Sequence, residues 1–289
     1  MHNLVIQQIS DWLWNQMFQY AYVRALSLRN NIDFLLDLHN FWYQGYPRKF
    51  ELERFNIKKY YLEDEKAIPF YEFYEPGLIR WLLWRLNPYH YIESYYEPLK
   101  FNKKYLKIKS WYIVWAFISE KYFCDKWNII KDDFKFIWRI SSKTKMVQEM
   151  IEKKNCVSIH FRRWDYIDYP DIYPVLSDDY YKLAIKMINE LVENPVFVVF
   201  SDDIEYARSK LSNYNNVMFV EHNRWDDSWQ DMYLMSKCKH NITAHSTFSW
   251  WWAYLNDNEN KIVISPSKWF VDGSRRHCGD IVPSSWIVI

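Results

Sequence analysis

Apolar and polar positions in the second half of the chain follow two alternating patterns. Short runs of apolar, β-branched residues predict strands, and longer segments with apolar residues every three or four positions predict helices. The predicted strands cover residues 156–161, 196–200, 217–220, 240–243 and 261–264, and the predicted helices cover residues 178–191, 204–211, 228–237 and 247–255. Strands that alternate with helices over short links are typical of a parallel sheet covered on both faces.

The first half of the chain gives a readable pattern only near its start. Residues 4–9 and 33–38 are apolar runs that predict two strands, and residues 16–28 have helical spacing between them. The aromatic and basic stretch over residues 41–138 has no clear period, so no elements are predicted there. The pattern indicates an α/β protein of two domains, residues 1–150 and 151–289, because 289 residues suffice for two domains of ordinary size.

Composition narrows the class of protein. The net charge is +1, and the aromatic side chains lie in core-like runs, which argues against a nucleic-acid partner. The four cysteines are widely separated and indicate neither a zinc site nor a disulfide framework. The first ten residues lack a signal-peptide pattern, and no uncharged apolar run reaches about 18 residues. We therefore expect a cytoplasmic protein without a transmembrane segment, able to contact the inner face of the membrane through its acceptor.

Candidate chemistry begins directly after the predicted strand at residues 156–161. Ligands of parallel α/β sheets bind at the carboxyl ends of the strands, and Arg162, Arg163 and Asp165 follow this strand with His160 at its end. Guanidinium groups bind diphosphate oxygens in a bidentate manner. The alternative for the same residues is a surface salt bridge between Arg163 and Asp165.

Two further strand ends carry polar side chains. Asp202 and Asp203 follow the strand at residues 196–200, and Asp203 is interpreted as a helix N-cap while Asp202 structures the site. Ser246, Thr247 and Phe248 stand where a helix begins, and the free N–H groups there can bind a phosphate. The alternative is an ordinary Ser/Thr cap over a tryptophan-rich core.

These segments together resemble glycosyltransferase family 11, the α-1,2-fucosyltransferases, over nearly the whole chain. The residues that carry the resemblance lie in five stretches. Residues 15–21 resemble the family's GNQMFQYA, residues 160–166 its HxRRGDY, residues 200–203 its FSDD, residues 246–251 its STFSWW, and residues 281–283 with Trp286 its closing segment. The resemblance implies a GT-B fold, with two Rossmann-like domains and the active-site cleft between them.

The resemblance also implies the roles of individual residues. Arg162 binds the β-phosphate of GDP-fucose, with His160 beside it, and Asp231 accepts hydrogen bonds from the guanine base. The turn at residues 246–248 holds phosphate, and Asn15 faces the sugar-transfer cleft from the N-terminal domain. No metal or other cofactor is implied, and an alternative for Asp231 is that it only caps its helix.

The implied reaction is the inverting transfer of L-fucose from GDP-β-L-fucose to a sugar hydroxyl, with an oligosaccharide or lipid-linked glycan as the acceptor. Negative charge develops on the leaving diphosphate, and Arg162 stabilises it more in the transition state than in the ground state. A carboxylate takes the acceptor proton, although the sequence does not identify it. The competing hypothesis is that the chain is not an enzyme but a non-catalytic nucleotide- or sugar-binding protein of the same fold.

Tryptophan stands at several positions where the family pattern has glycine. These positions are Trp12, Trp14, Trp164 and Trp252, with Trp111, Trp115 and Trp225 as further cases. The chain has 17 Trp and 4 Gly, whereas average usage gives roughly 20 Gly in this length. We hypothesise that many of these tryptophans are UGA codons that the source organism reads as glycine. His245 likewise replaces the usual Asn.

Overall fold

The computed structural model describes residues 4–42, 45–63, 90–92, 100–109, 112–114, 116–271 and 279–289, except the side chains of residues 90–92, 165 and 225. The chain divides into two compact units. The first comprises Met1–Trp138 with Gly279–Ile281, and the second comprises Arg139–Cys278 with Val282–Ile289. Each unit is built around its own parallel sheet.

The sheet of the first unit has four described strands in the order β2-β1-β4-β3, all parallel. They are β1 (Leu4–Gln8), β2 (Asp33–Asp37), β3 (His90–Ile92) and β4 (Tyr112–Val114). Helix α1 (Leu13–Asn30) connects β1 to β2, and a shorter helix α2 (Trp127–Asp133) follows β4. The predicted strand–helix–strand start of the chain is therefore confirmed.

Aromatic packing explains why residues 41–138 show no period. The region contributes short 3-10 turns, and its side chains pack against α1 from positions far apart in sequence. The ring of Phe117 lies 3.8 Å from that of Tyr22, and Phe123 lies 6.1 Å from Phe18. A core assembled from irregular segments leaves no regular spacing in the sequence.

The sheet of the second unit has six strands among the described residues, in the order β10-β9-β8-β5-β6-β7, all parallel. The strands are β5 (Cys156–Phe161), β6 (Val196–Ser201), β7 (Val217–Phe219), β8 (His240–Ile242), β9 (Val263–Ser265) and β10 (Ile287–Val288). All six residues of β5 are buried, as expected for a central strand with both faces covered. The five predicted strands are confirmed to within two residues at each end.

The helices of the second unit lie between these strands. They are α3 (Ser142–Glu152), α4 (Trp164–Asp168), α5 (Asp178–Leu191), α6 (Ile204–Leu211), α7 (Ser228–Lys237) and α8 (Thr247–Leu255). The four helices predicted here, α5 to α8, have the predicted bounds. Among the described residues, no helix is both long enough and apolar enough to cross a bilayer.

Candidate functional site

An ion pair joins the ends of two neighbouring strands. Arg162 follows β5 and Asp202 follows β6, and Nη1 of Arg162 lies 3.1 Å from Oδ2 of Asp202. The same carboxylate accepts hydrogen bonds from the backbone N–H groups of Arg163 and Trp164. Both side chains of the pair remain partly accessible. Asp202 therefore holds the loop that carries Arg162 and orients its guanidinium group.

Arg163 packs against α6. Its Nε lies 3.2 Å from Oδ2 of Asp203, and its guanidinium carbon lies 3.5 Å above the ring of Tyr206. Asp203 also accepts a hydrogen bond from the N–H of Tyr206 at 3.1 Å, so it is the N-cap of α6, as predicted. The alternative pairing of Arg163 with Asp165 involves a side chain outside the described residues. The donor-binding roles of Arg163 and Asp165 stay predictions.

His160 ends β5 with its side chain buried. The ring centroid lies 5.1 Å from that of Phe248, and Nδ1 has no hydrogen-bond partner among the described residues. Burial, the charge of Arg162 and the proximity of His245 lower the pKa of His160 to about 3. The imidazole is neutral at physiological pH, so it can donate or accept one hydrogen bond with a ligand.

The N-terminus of α8 lies at the same edge of the sheet. Ser246 is the N-cap, and its hydroxyl accepts a hydrogen bond from the N–H of Phe248 at 3.3 Å. The capping interpretation therefore holds for Ser246, and three tryptophans of α8 are fully buried behind it. The partial positive charge of the helix N-terminus still favours an anion beside Thr247.

Asp231 lies within α7, whose N-cap is Asp227. The alternative that Asp231 caps its helix is therefore wrong. Its Oδ1 accepts a hydrogen bond of 2.8 Å from Nδ2 of Asn223. The residue is partly accessible, and burial of its carboxyl group among protein atoms raises the pKa of that group to about 8, which the Asn223 hydrogen bond opposes. A recessed carboxyl with a perturbed pKa is typical of a ligand site.

Asn15 belongs to the first unit, in the first turn of α1. Its Nδ2 donates to Oδ2 of Asp11 at 2.6 Å, and Asp11 adopts a left-handed conformation with φ of 71°. The phenol of Tyr46 accepts a hydrogen bond from the N–H of Asp11. These contacts fix the loop between β1 and α1. The second unit holds all the other candidate residues, and contacts among His160, Arg162, Asp202 and Phe248 bring these four together.

The tryptophans at family glycine positions have ordinary backbone angles. The non-glycine residues with positive φ in the described chain are Asp11, Asn31 and Asn194. Left-handed backbone is therefore no reason for glycine at Trp12, Trp14, Trp164 or Trp252. Close approach of the backbone to a ligand or to a neighbouring element can still require glycine there. Trp12 stacks on Trp14 at 5.1 Å, Trp164 is 60% exposed, and Trp252 is fully buried. Trp111 and Trp115, and the side chain of Trp225, lie outside the described residues.

One residue beside Arg162 was not among the predicted site residues. His245 follows β8, and its ring centroid lies 4.8 Å from that of Tyr166. The sequence shows His245 where the family pattern has Asn, but it gives no sign that this side chain lies near Arg162. In the described part of the chain, no group of three or more His, Cys, Asp or Glu side chains is arranged to hold a metal ion.

Comparison with known proteins decides the family. The model of glycosyl transferase family 11 matches residues 87–289, more than half of the chain. The chain belongs to glycosyltransferase family 11. The family match includes the segments that carry His160, Arg162, Asp202, Asp231 and α8, whereas Asn15 lies before it.

Two bacterial relatives in family 11 align over nearly the full chain, and a primate relative aligns over about a third of it. The O-antigen biosynthesis glycosyltransferase WbnK of Escherichia coli is 33% identical over 96% of this chain and 98% of the relative. An alpha-1,2-colitosyltransferase of Escherichia coli is 30% identical over 99% of each. A galactoside alpha-(1,2)-fucosyltransferase 1 of Leontocebus fuscicollis is 34% identical over 34% of this chain and 28% of the relative.

Solved structures show the fold. A mutant of Arabidopsis thaliana FUT1 in complex with GDP has a TM-score of 0.54 and 12% identity, covering 91% of this chain and 70% of that one. The fucosyltransferase NodZ from Bradyrhizobium has a TM-score of 0.50 and 13% identity, covering 88% and 92%. With its two parallel sheets, this family 11 chain has the α/β GT-B fold that the sequence resemblance implied.

Proposed function

We propose that this family 11 glycosyltransferase transfers L-fucose from GDP-β-L-fucose to the 2-hydroxyl of a galactoside, with inversion to an α-1,2 linkage. The observation that carries the proposal is the Arg162–Asp202 ion pair at the carboxyl end of β5. It holds a guanidinium group where parallel sheets bind their ligands. The relative named as a galactoside alpha-(1,2)-fucosyltransferase supports the linkage and the donor sugar.

Charge at the leaving group explains how this arrangement accelerates transfer. Cleavage of the bond between sugar and phosphate places negative charge on the diphosphate, and a fixed guanidinium group stabilises that charge most in the transition state. The N-terminus of α8 adds a positive partial charge from its backbone N–H groups. Arg162 and α8 together take the electrostatic role that a divalent cation has in other glycosyltransferases, and the reaction requires no metal.

Guanine recognition is assigned to Asp231. A carboxylate accepts parallel hydrogen bonds from guanine N1–H and N2–H₂, whereas adenine has an acceptor at N1. The partly accessible position of Asp231 in α7 and its hydrogen bond from Asn223 support this role. His160 contributes a neutral imidazole beside Arg162.

A second donor is favoured by one specific observation. The alpha-1,2-colitosyltransferase aligns with 99% of this chain. Colitose is fucose without the 3-hydroxyl group, so both sugars fit the same leaving-group chemistry. The acceptor is a glycan of the cell surface, as the name of the O-antigen biosynthesis relative suggests. The sugar is transferred to this acceptor at the inner face of the membrane.

Donor competition tests the proposal. The protein is incubated with a panel of β-galactosides and, in turn, GDP-fucose, GDP-colitose, GDP-mannose or UDP-galactose, and released nucleotide and glycosylated product are both quantified. We expect product from GDP-fucose at the highest kcat/KM. A higher kcat/KM with GDP-colitose would show that colitose, not fucose, is the transferred sugar. Binding of GDP-sugars without hydrolysis or transfer would support the non-catalytic alternative.

A further inference from the structure

Two buried imidazoles lie close enough to Arg162 to interact with its charge. His160 ends β5 and is 5% exposed, and His245 lies in the turn between β8 and α8 and is 1% exposed. The ring of Tyr166 connects His245 to the arginine. Its centroid lies 4.8 Å from the imidazole of His245 and 5.5 Å from the guanidinium carbon of Arg162. The phenol of Tyr166 also donates a hydrogen bond of 3.0 Å to the backbone carbonyl of His245, which fixes the turn.

The polar atoms of these imidazoles lack partners within the protein. Among the described residues, neither ring nitrogen of His245 makes a hydrogen bond, and Nδ1 of His160 makes none. The carbonyl of Pro174 lies close enough to His245 to influence its pKa, but not in hydrogen-bond geometry. Buried polar atoms are almost always hydrogen-bonded because an unmade bond is costly, so these nitrogens require a ligand or an ordered water.

The surroundings of His245 indicate an anionic ligand. The guanidinium group of Arg162 lies against the same tyrosine ring and is close enough to His245 to affect its pKa, and α8 begins at Thr247, two residues further along the chain. Both features attract negative charge to this edge of the sheet. A neutral imidazole presents one N–H donor, and burial together with the charge of Arg162 keeps His245 neutral by lowering its pKa to about 4.

We propose that His245 is a donor-binding residue that donates a hydrogen bond to the β-phosphate, the same phosphate group that Arg162 binds. The inference rests on the proposed nucleotide-sugar donor. It also explains how this chain can depart from the Asn of the family pattern. An amide and a neutral imidazole both present an N–H donor, so either side chain can supply this hydrogen bond.

Comparison of GDP with GMP isolates the contact. GDP carries the second phosphate and GMP lacks it, while both retain guanine. In titration calorimetry at pH 7.5, we expect His245→Leu to weaken GDP binding by about 10-fold or more, as expected for a lost hydrogen bond to a charged group. GMP binding should change by less than about 2-fold, and His245→Asn should keep the wild-type GDP:GMP affinity ratio.

Another buried histidine, His240, supplies the matched control. His240 begins the same strand at its opposite end, where its Nδ1 accepts a hydrogen bond from the N–H of Ile262. His240→Leu should lower thermal stability and leave the GDP:GMP ratio unchanged. An unchanged GDP:GMP affinity ratio in a folded His245→Leu variant would overturn the proposal. An equal loss of affinity for both nucleotides would do so by showing that His245 supports guanine binding or folding instead. A wild-type protein that binds neither nucleotide would refute the proposed function itself.

Discussion

The guanidinium group of Arg162 lies 3.1 Å from the carboxylate of Asp202, 40 positions further along the chain. Asp202 also accepts hydrogen bonds from two backbone N–H groups of the loop after β5, so one carboxylate fixes both the loop and the arginine side chain. In the mechanism that we propose, the donor diphosphate meets a guanidinium group that is already oriented. Such preorganisation is the usual source of electrostatic catalysis.

Replacement of Arg162 by lysine tests this role. Lysine keeps the charge but not the planar, bidentate donors, so Arg162→Lys should lower kcat by about 100-fold or more with a smaller effect on KM. Steady-state kinetics with GDP-fucose measure both constants. Arg208→Lys is the control, because Arg208 is an exposed arginine of α6 in the same unit. Near-native kcat in Arg162→Lys would remove Arg162 from the mechanism.

Asp231 should make donor binding depend on pH. Burial raises the pKa of its carboxyl to about 8 in the folded protein without ligand, so the group is largely protonated at pH 7. Guanine requires the carboxylate, so binding releases a proton and affinity should rise by up to about tenfold per pH unit between pH 6 and pH 8. GDP-fucose is the suitable ligand because its diphosphate does not titrate in this range. A flat profile in the wild-type protein would argue against the assignment.

The contribution of Asp231 to folding stability should fall with rising pH, whereas its contribution to donor affinity rises. The unfolded carboxyl loses its proton near pH 4, whereas the folded one keeps it up to about pH 8. The contribution of Asp231 to stability is therefore present below pH 4 and decreases as the pH rises toward 8. Asp231→Asn should remove this pH dependence of stability and that of donor affinity.

Base selectivity gives a separate test of Asp231. Asp231→Ala should narrow the preference for GDP over ADP and UDP. An unchanged selectivity ratio in a folded Asp231→Ala variant would exclude the guanine role.

Activity should persist after metal removal. The diphosphate charge is assigned to Arg162 and the N-terminus of α8, so overnight dialysis against EDTA should leave kcat within about 2-fold of its starting value. Inactivation by EDTA with recovery on adding Mg²⁺ or Mn²⁺ would contradict the metal-free mechanism. Asp203 would then be examined first, since it stands beside Asp202 at the end of β6.

The tryptophans at glycine positions give a test at the level of the gene. UGA codons at Trp12, Trp14 and Trp164 would support recoding as glycine, and UGG codons there would refute it. If the hypothesis holds, Trp164→Gly should raise transfer activity and preserve the fold, because this side chain is 60% exposed. Trp250→Gly is the contrasting variant. Trp250 is fully buried in α8, so its loss should cost about 3–5 kcal/mol of stability.

Much of the second unit could be predicted because its pattern is local. The amphipathic spacing of α5 and the turn-bounded apolar run of β5 each lie within one stretch of sequence, and Asp203 could be predicted as a cap from its position after β6. The first unit was harder, because β3 and β4 have three residues each and pairs such as Tyr22 and Phe117 meet only in the folded chain.

The site was predictable as a set of strand ends but not as a set of contacts. Sequence motifs identified Arg162, Arg163 and Asp202 separately. Nothing in their spacing showed that Asp202 pairs with Arg162 or that Arg163 turns away to stack on Tyr206. The position of His245 beside Tyr166 likewise depends on β8 lying next to β5, which is a property of the sheet order.

The linkage in the transferred product is the most direct test of α-1,2-fucosyl transfer by this protein. The protein is incubated with GDP-fucose and the β-galactoside that the donor panel identifies, and the purified product is analysed by two-dimensional NMR spectroscopy. We expect one new fucosyl residue with the α configuration, attached to the 2-hydroxyl of galactose. A β-linked product would contradict inversion, and attachment at another hydroxyl would contradict the α-1,2 assignment. GDP-fucose left intact in the presence of every acceptor would contradict fucosyl transfer altogether.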